Sequence, residues 1–227
     1  METNDTVKSI AKNTVTCTSG LILFGVGVYL TIQANLGVSP WDVLFLGISK
    51  STGILYGNVT IFVNIFILLI DLLVLREKIG LGSIIDALIV GKVVDILNWL
   101  DILPLMNGNI AVRILVLFLG IAIEGFSQYL YMKAALCAGP KDTLFIGLAR
   151  KMPRLSIGAV NAALMLTVMI IGWLLGGPVG IGSLISPFGT GAMQNLTFKV
   201  MKFDPKSVKH QSILGTWKVL KAAVKAK

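Results

Sequence analysis

Six times along the chain an apolar run reaches the length that crosses a lipid bilayer. The runs cover about residues 14–34, 59–75, 80–100, 111–135, 158–175 and 180–196. About 20 helical residues span the roughly 30 Å of hydrocarbon. No water reaches that depth, so each backbone N–H and C=O must find its partner within the protein, and helices are the default solution. Composition points the same way. Only 14% of the 227 residues are charged and 55% are hydrophobic, against about a quarter charged in soluble domains. Such a chain cannot cover a water-facing surface. The expected fold class is an all-α polytopic membrane protein with six transmembrane helices.

Two shorter apolar segments, 41–50 and 141–150, are about half the hydrocarbon thickness as helices. Each follows a break, Gly37-Val38-Ser39-Pro40 or Ala138-Gly139-Pro140. They read as short re-entrant helices or as helices lying at the interface.

The chain also aligns with itself at an offset of 100 residues. Residues 34–47 read ANLGVSPWDVLFLG and residues 134–147 read AALCAGPKDTLFIG, identical at seven of 14 positions. Residues 80–91 (GLGSIIDALIVG) match 180–191 (GIGSLISPFGTG), and Gly20, Gly25, Tyr29 and Leu30 match Gly120, Gly125, Tyr129 and Leu130. Shared low complexity does not produce matched Pro, Asp, Tyr and Ser at one offset. The expected organisation is a first repeat over 1–100, a second over 101–200 and a basic tail over 201–227. Three spans per repeat is an odd number, so the second copy enters the membrane from the opposite side. That is the inverted-repeat plan of many secondary transporters.

The net charge of +9 does not call for nucleic acid. Eight of the 20 Lys and Arg lie in the last 29 residues, and most others flank the apolar runs. With the N-terminus in the cytoplasm, 16 fall inside, two, Lys50 and Arg113, outside, and two, Lys92 and Lys133, within spans. This satisfies the positive-inside rule and implies a multi-pass membrane protein with both termini cytoplasmic. The polar residues 1–13 and the full-length run after them argue against a cleaved signal. In the tail, Asp204 fits an N-cap and Pro205 the first helical position. Ile213, Trp217, Leu220 and Val224 form one stripe, so residues 204–227 are expected to form an amphipathic helix on anionic lipid headgroups. Cys17 and Cys137 suit packing in apolar segments, and neither metal spacing nor a cofactor motif is present.

The blocks QANLGVSPWDVLFLGISKSTG (33–53) and GPKDTLFIGLARK (139–151) resemble the YczE/YyaS/YitT group of bacterial integral membrane proteins, closest to its YczE-like branch. The resemblance covers about 14–198. It implies a polytopic bacterial membrane protein and no particular substrate.

The polar residues inside apolar segments are the site candidates. Asp42 and Asp142 occupy one place in the two copies. Ser39-Pro40-Trp41-Asp42 also reads as a helix start, with Ser39 as N-cap, Pro40 at N1 and Asp42 at N3. The aspartates therefore cap, or cap and bind. Trp41 stands where the other copy has Lys141, an interfacial anchor against a headgroup contact, or a lysine for an anionic ligand. Glu124 lies near the middle of a span with Gln128 one turn on. An ionised carboxylate there must be paired or wet, or else protonated. Lys92 is its simplest structural partner. Asp86, Lys92 and Asp95 make the third span polar, with Lys92 and Asp95 able to pair at i, i+3. Ser186, Gln194 and Asn195 do the same for the sixth. The candidate binding set is Ser39, Trp41, Asp42, Asp86, Lys92, Glu124, Gln128, Lys141, Asp142 and Asn195. The expected function is transport or export of a small solute, coupled to protons or cations. The alternative is a non-transporting scaffold acting through its basic cytoplasmic face. One histidine, His210, and no metal spacing speak against an enzyme.

Overall fold

A computed structural model describes residues 2–77, 79–136 and 139–204, with only the helical backbone described over 2–9. The basic helix expected over 204–227 therefore falls, from Pro205 on, outside the described residues, as do Lys78 and Cys137. Every described element is helical. The order is α1 (Glu2–Gln33), α2 (Pro40–Thr52), α3 (Tyr56–Ile70, running on through a π-helical turn at Asp71–Leu75), α4 (Leu81–Trp99), α5 (Ile110–Lys133), α6 (Pro140–Lys151), α7 (Ile157–Leu174) and α8 (Ile181–Val200). The first four helices recur a hundred positions later, within a few residues except at the N-terminal end of α1, which is eight residues longer than α5.

Local chemistry fixes these ends. Ser39 caps α2, its Oγ accepting the Asp42 N–H, and Pro40 opens the helix with the φ it already prefers. Gly53, at φ +74°, closes α2 in the left-handed conformation that glycine adopts without strain. Asn109 caps α5 through Ala111 N–H at 2.8 Å, and Ser156 caps α7 through Ala159 N–H at 3.2 Å.

Four stretches are long and apolar enough to cross a membrane: Ile10–Gln33, Tyr56–Leu75, Ile110–Lys133 and Ile157–Leu174. Helices α4 and α8 are also of membrane length, 19 and 20 residues, but more polar. Asp86, Lys92 and Asp95 lie in α4, and Ser186, Thr190, Gln194 and Asn195 in α8. A helix with so many polar groups faces protein or a cavity rather than lipid.

Helices α1 and α5 pack along one another at the centre and run antiparallel. A methyl on Gly20 would stand 2.9 Å from Tyr131 N, one on Gly27 2.8 Å from Glu124 Cγ, and one on Gly120 2.7 Å from Thr31 Cγ2. Partners thus fall along α5 as numbers rise along α1. Small residues let the two backbones approach this closely.

Around that pair the same contacts are made twice. Gly25 meets Val93 of α4, and Gly125 meets Met193 of α8. Gly82 N–H donates to Leu136 O at 3.4 Å, and Gly182 N–H donates to Leu36 O at 2.7 Å. Tyr29 is bound at 2.8 Å to the Leu103 backbone, and Tyr129 packs edge-on against Phe203 at 5.3 Å. Both tyrosines are buried, so they pack between segments and do not form a belt at the membrane surface. Helix α2 lies on α7, and α6 on α3. The short helices of each half therefore rest on the other half.

Candidate functional site

The first turns of α2 and α6 line one cavity of about 510 Å³, together with residues of α1, α4, α5, α7 and α8. Its polar wall includes Ser39 and Trp41 from α2, Asp86 from α4, Glu124 and Gln128 from α5, and Lys141 and Asp142 from α6. Seven of the ten sequence candidates thus meet in one place. Ser186, Thr190 and Gln194 of α8 and Asn161 of α7 complete the polar wall.

Glu124 is 4% exposed and accepts a hydrogen bond of 3.1 Å from Thr190 Oγ1. Lys92 is not its partner. That lysine pairs with Asp95 at 3.6 Å and donates to Asn58 Oδ1 at 2.6 Å, away from the cavity. Asp86 and Asp142 converge at the start of α6. A methyl on Gly139 would stand 2.7 Å from Asp86 Oδ2 and 3.5 Å from Asp142 Oδ2. Lys141 Nζ sits 5.4 Å from the centre of the Phe45 ring, within cation–π range. Ser186 Oγ, in a residue 1% exposed, has no hydrogen-bond partner among the described residues.

The two repeated aspartates have separated in role. Asp42 is buried behind the cavity wall. Tyr56 Oη donates to its Oδ1 at 2.7 Å, and Ser39 Oγ donates to its Oδ2 at 2.6 Å. Asp142 has glycine at its N-cap and no matching tyrosine, since position 156 is serine. It lines the cavity and is exposed there. Trp41 is also not the interfacial anchor that its type suggested. It is 6% exposed and packs at 6.2 Å from Phe45 in the cavity wall.

Asn195 lies outside the cavity and is exposed. Ser186, Thr190 and Gln194 follow at i, i+4 and i+8 and share one face, while Asn195 lies one residue, about 100°, round the helix. Sequence reasoning missed Tyr56 and Thr190. Their counterparts in the other copy are Ser156 and Val90, so neither residue type repeats and the repeat gave no signal for them. The i, i+4, i+8 spacing of Ser186, Thr190 and Gln194 could have found Thr190.

This arrangement defines a polytopic α-helical membrane protein with an internal cavity that holds three carboxylates and one ammonium. More specifically, residues 11–199 match a family of unknown function, DUF6198, and the chain belongs to it. It is 30% identical over 174 residues to the uncharacterized membrane protein YczE of Bacillus subtilis, covering 76% of this chain and 79% of that protein. An uncharacterized protein of Haemophilus influenzae is 29% identical, over 76% of this chain and 77% of the relative. The uncharacterized protein YyaS of B. subtilis is 25% identical, over 74% and 83% respectively. No solved structure matches the chain.

Proposed function

We propose that the protein is a transporter or exporter of a small solute, built from two inverted repeats of three spans each and coupled to a proton or cation. The observation that carries this reading is the meeting of two half-membrane helices, first turn inward, at one acid-lined cavity. Secondary transporters with inverted repeats place their sites where such short helices end. The antiparallel α1–α5 pair supports the inversion, because these are the equivalent first spans of the two copies. Helices α4 and α8 complete the six spans, with Asp86, Ser186, Thr190 and Gln194 turned to the cavity. In the same reading the protein lies in the bacterial inner membrane with both termini cytoplasmic, and its basic tail rests on anionic lipid headgroups.

Glu124, Asp86 and Asp142 bind the cation or relay the proton, with Gln128 and Thr190 orienting the bound species. Glu124→Gln, reconstituted in proteoliposomes, is the test. Loss of solute or proton flux with normal expression is the expected result. Unchanged flux in an assay that works for the unmodified protein would remove Glu124 from the mechanism.

A further inference from the structure

The two copies differ at one seam. In the first, α3 packs along α4. A methyl on Gly91 would stand 2.8 Å from Gly57 Cα and 2.8 Å from Thr60 Cβ. Polar locks hold this seam shut: Gly57 N–H donates to Asp95 Oδ1 at 2.9 Å, and Lys92 reaches Asn58. In the second copy, α7 and α8 make at most marginal contact. Gly191, the counterpart of Gly91, has nothing within 4 Å of an added methyl. Ala192 and Asn195 replace the two α4 residues of the lock, Lys92 and Asp95.

The residues freed at this seam line the cavity instead: Gly191 and Thr190 on α8, Asn161 and Leu164 on α7. The cavity therefore reaches the space between α7 and α8. Exposed apolar side chains stand on the Gly191 side of α8, with Leu184 64% and Phe188 80% exposed. In a membrane they face lipid. Pro187 interrupts the hydrogen-bond ladder of α8 at this level.

We infer that the α7–α8 gap is a lateral entrance from the bilayer, and that the ligand is an amphiphile with a primary amine head and an apolar body. This rests on reading the cavity as a transport site and adds the substrate class and its route. The balance of acid and base selects the head: three carboxyl groups, Asp86, Glu124 and Asp142, share the cavity with one ammonium, Lys141. Ser186 Oγ, buried without a partner, can accept a hydrogen bond from the ammonium. The apolar body remains between α7 and α8, where lipid-facing side chains already stand.

The test uses the full chain in phosphatidylcholine nanodiscs, with Trp99, Trp173 and Trp217 changed to Phe so that Trp41 in the cavity wall reports. Dodecylamine should change Trp41 emission saturably, propylamine only at concentrations at least about a hundredfold higher, because of the buried methylenes. Dodecanoate, with the opposite charge, should have no effect. Glu124→Gln with Asp142→Asn should weaken the dodecylamine response about tenfold or more. Gly191→Phe, which fills the gap, should erase the advantage of the long chain. Partitioning into the disc is the same for every variant, so an equal response in all of them overturns the proposal. Equal affinity for short and long amines, still dependent on the carboxylates, overturns the lateral entrance and leaves the transport reading standing. No amine response, together with cross-linking between copies through Phe188→Cys, makes this face a dimer seam and overturns the entrance. No amine response with intact proton flux overturns the amine class alone, whereas loss of the transport reading would appear as absent flux in every assay.

Discussion

The Tyr56 hydroxyl donates to Asp42 at 2.7 Å across the junction of α2 and α3, and with Ser39 it occupies both oxygens of that carboxylate. A buried acid so enclosed belongs to the architecture. Tyr56→Phe leaves one oxygen unpaired, at a cost of about 1–3 kcal/mol. The expected outcome is a lower melting temperature in detergent with the cavity chemistry intact. Asp142→Asn should do the opposite, leaving melting nearly unchanged and removing flux. If both variants destabilise alike, the division of roles between the aspartates is wrong.

Thr190 orients Glu124 without carrying charge itself. Thr190→Val keeps the shape and removes the 3.1 Å bond. A hydrogen bond to a charged group is worth about 1.5–3 kcal/mol, so affinity for a cationic solute should fall by about tenfold or more. Thr190→Ser should restore most of it. Equilibrium binding to the purified protein reads both, and a Val variant as good as the Ser variant would contradict the assignment.

Gly91 and Gly191 are the same residue in two copies, but they sit in opposite surroundings. Gly91→Leu drives a side chain into Gly57 and Thr60 and should destabilise by about 1–3 kcal/mol or block folding. Gly191→Leu meets open space and should leave the melting temperature within about 2 °C of the unmodified protein. Thermal melts of the two single variants decide this, and matched losses would mean that the α7–α8 gap is closed.

The Arg150–Glu77 ion pair, 2.7 Å long, ties α6 to the end of the π-helical turn. Its arginine is 69% exposed in the side chain. Exposed pairs contribute about 0–1 kcal/mol. Glu77→Gln should therefore change stability little, and what it does change should vanish in high salt.

Much of this architecture could be read before any coordinates. Apolar runs located the long helices to within a few residues, because membrane length and backbone satisfaction leave little choice, except that α1 begins at Glu2, well before its apolar run. The repeat marked out α2 and α6, since Ser39-Pro40 and Gly139-Pro140 are strong helix starts. It did not show that Asp42 would be enclosed and Asp142 open. That difference depends on Tyr56, fourteen residues away in sequence and present in one copy only. Lys92 was legible in part. Its i, i+3 spacing pairs it with Asp95, as the structure has it, while its depth also suggested Glu124, and only Asn58 on α3 shows that it belongs to the α3–α4 seam. Residue type gave the chemistry of each group, while helix packing decided which groups share a space.

The central pairing of α1 with α5 has a historical consequence. Gly20 meets Tyr131 and Gly120 meets Thr31, the same two positions exchanged. A seam of that kind is self-complementary, as in a twofold homodimer. A half-length ancestor inserted in both orientations would already have had this seam, with a symmetric vestibule between its copies. Fusion of two such copies into one gene would have freed the halves to diverge, one flank sealed at α3–α4 and the other loosely packed at α7–α8.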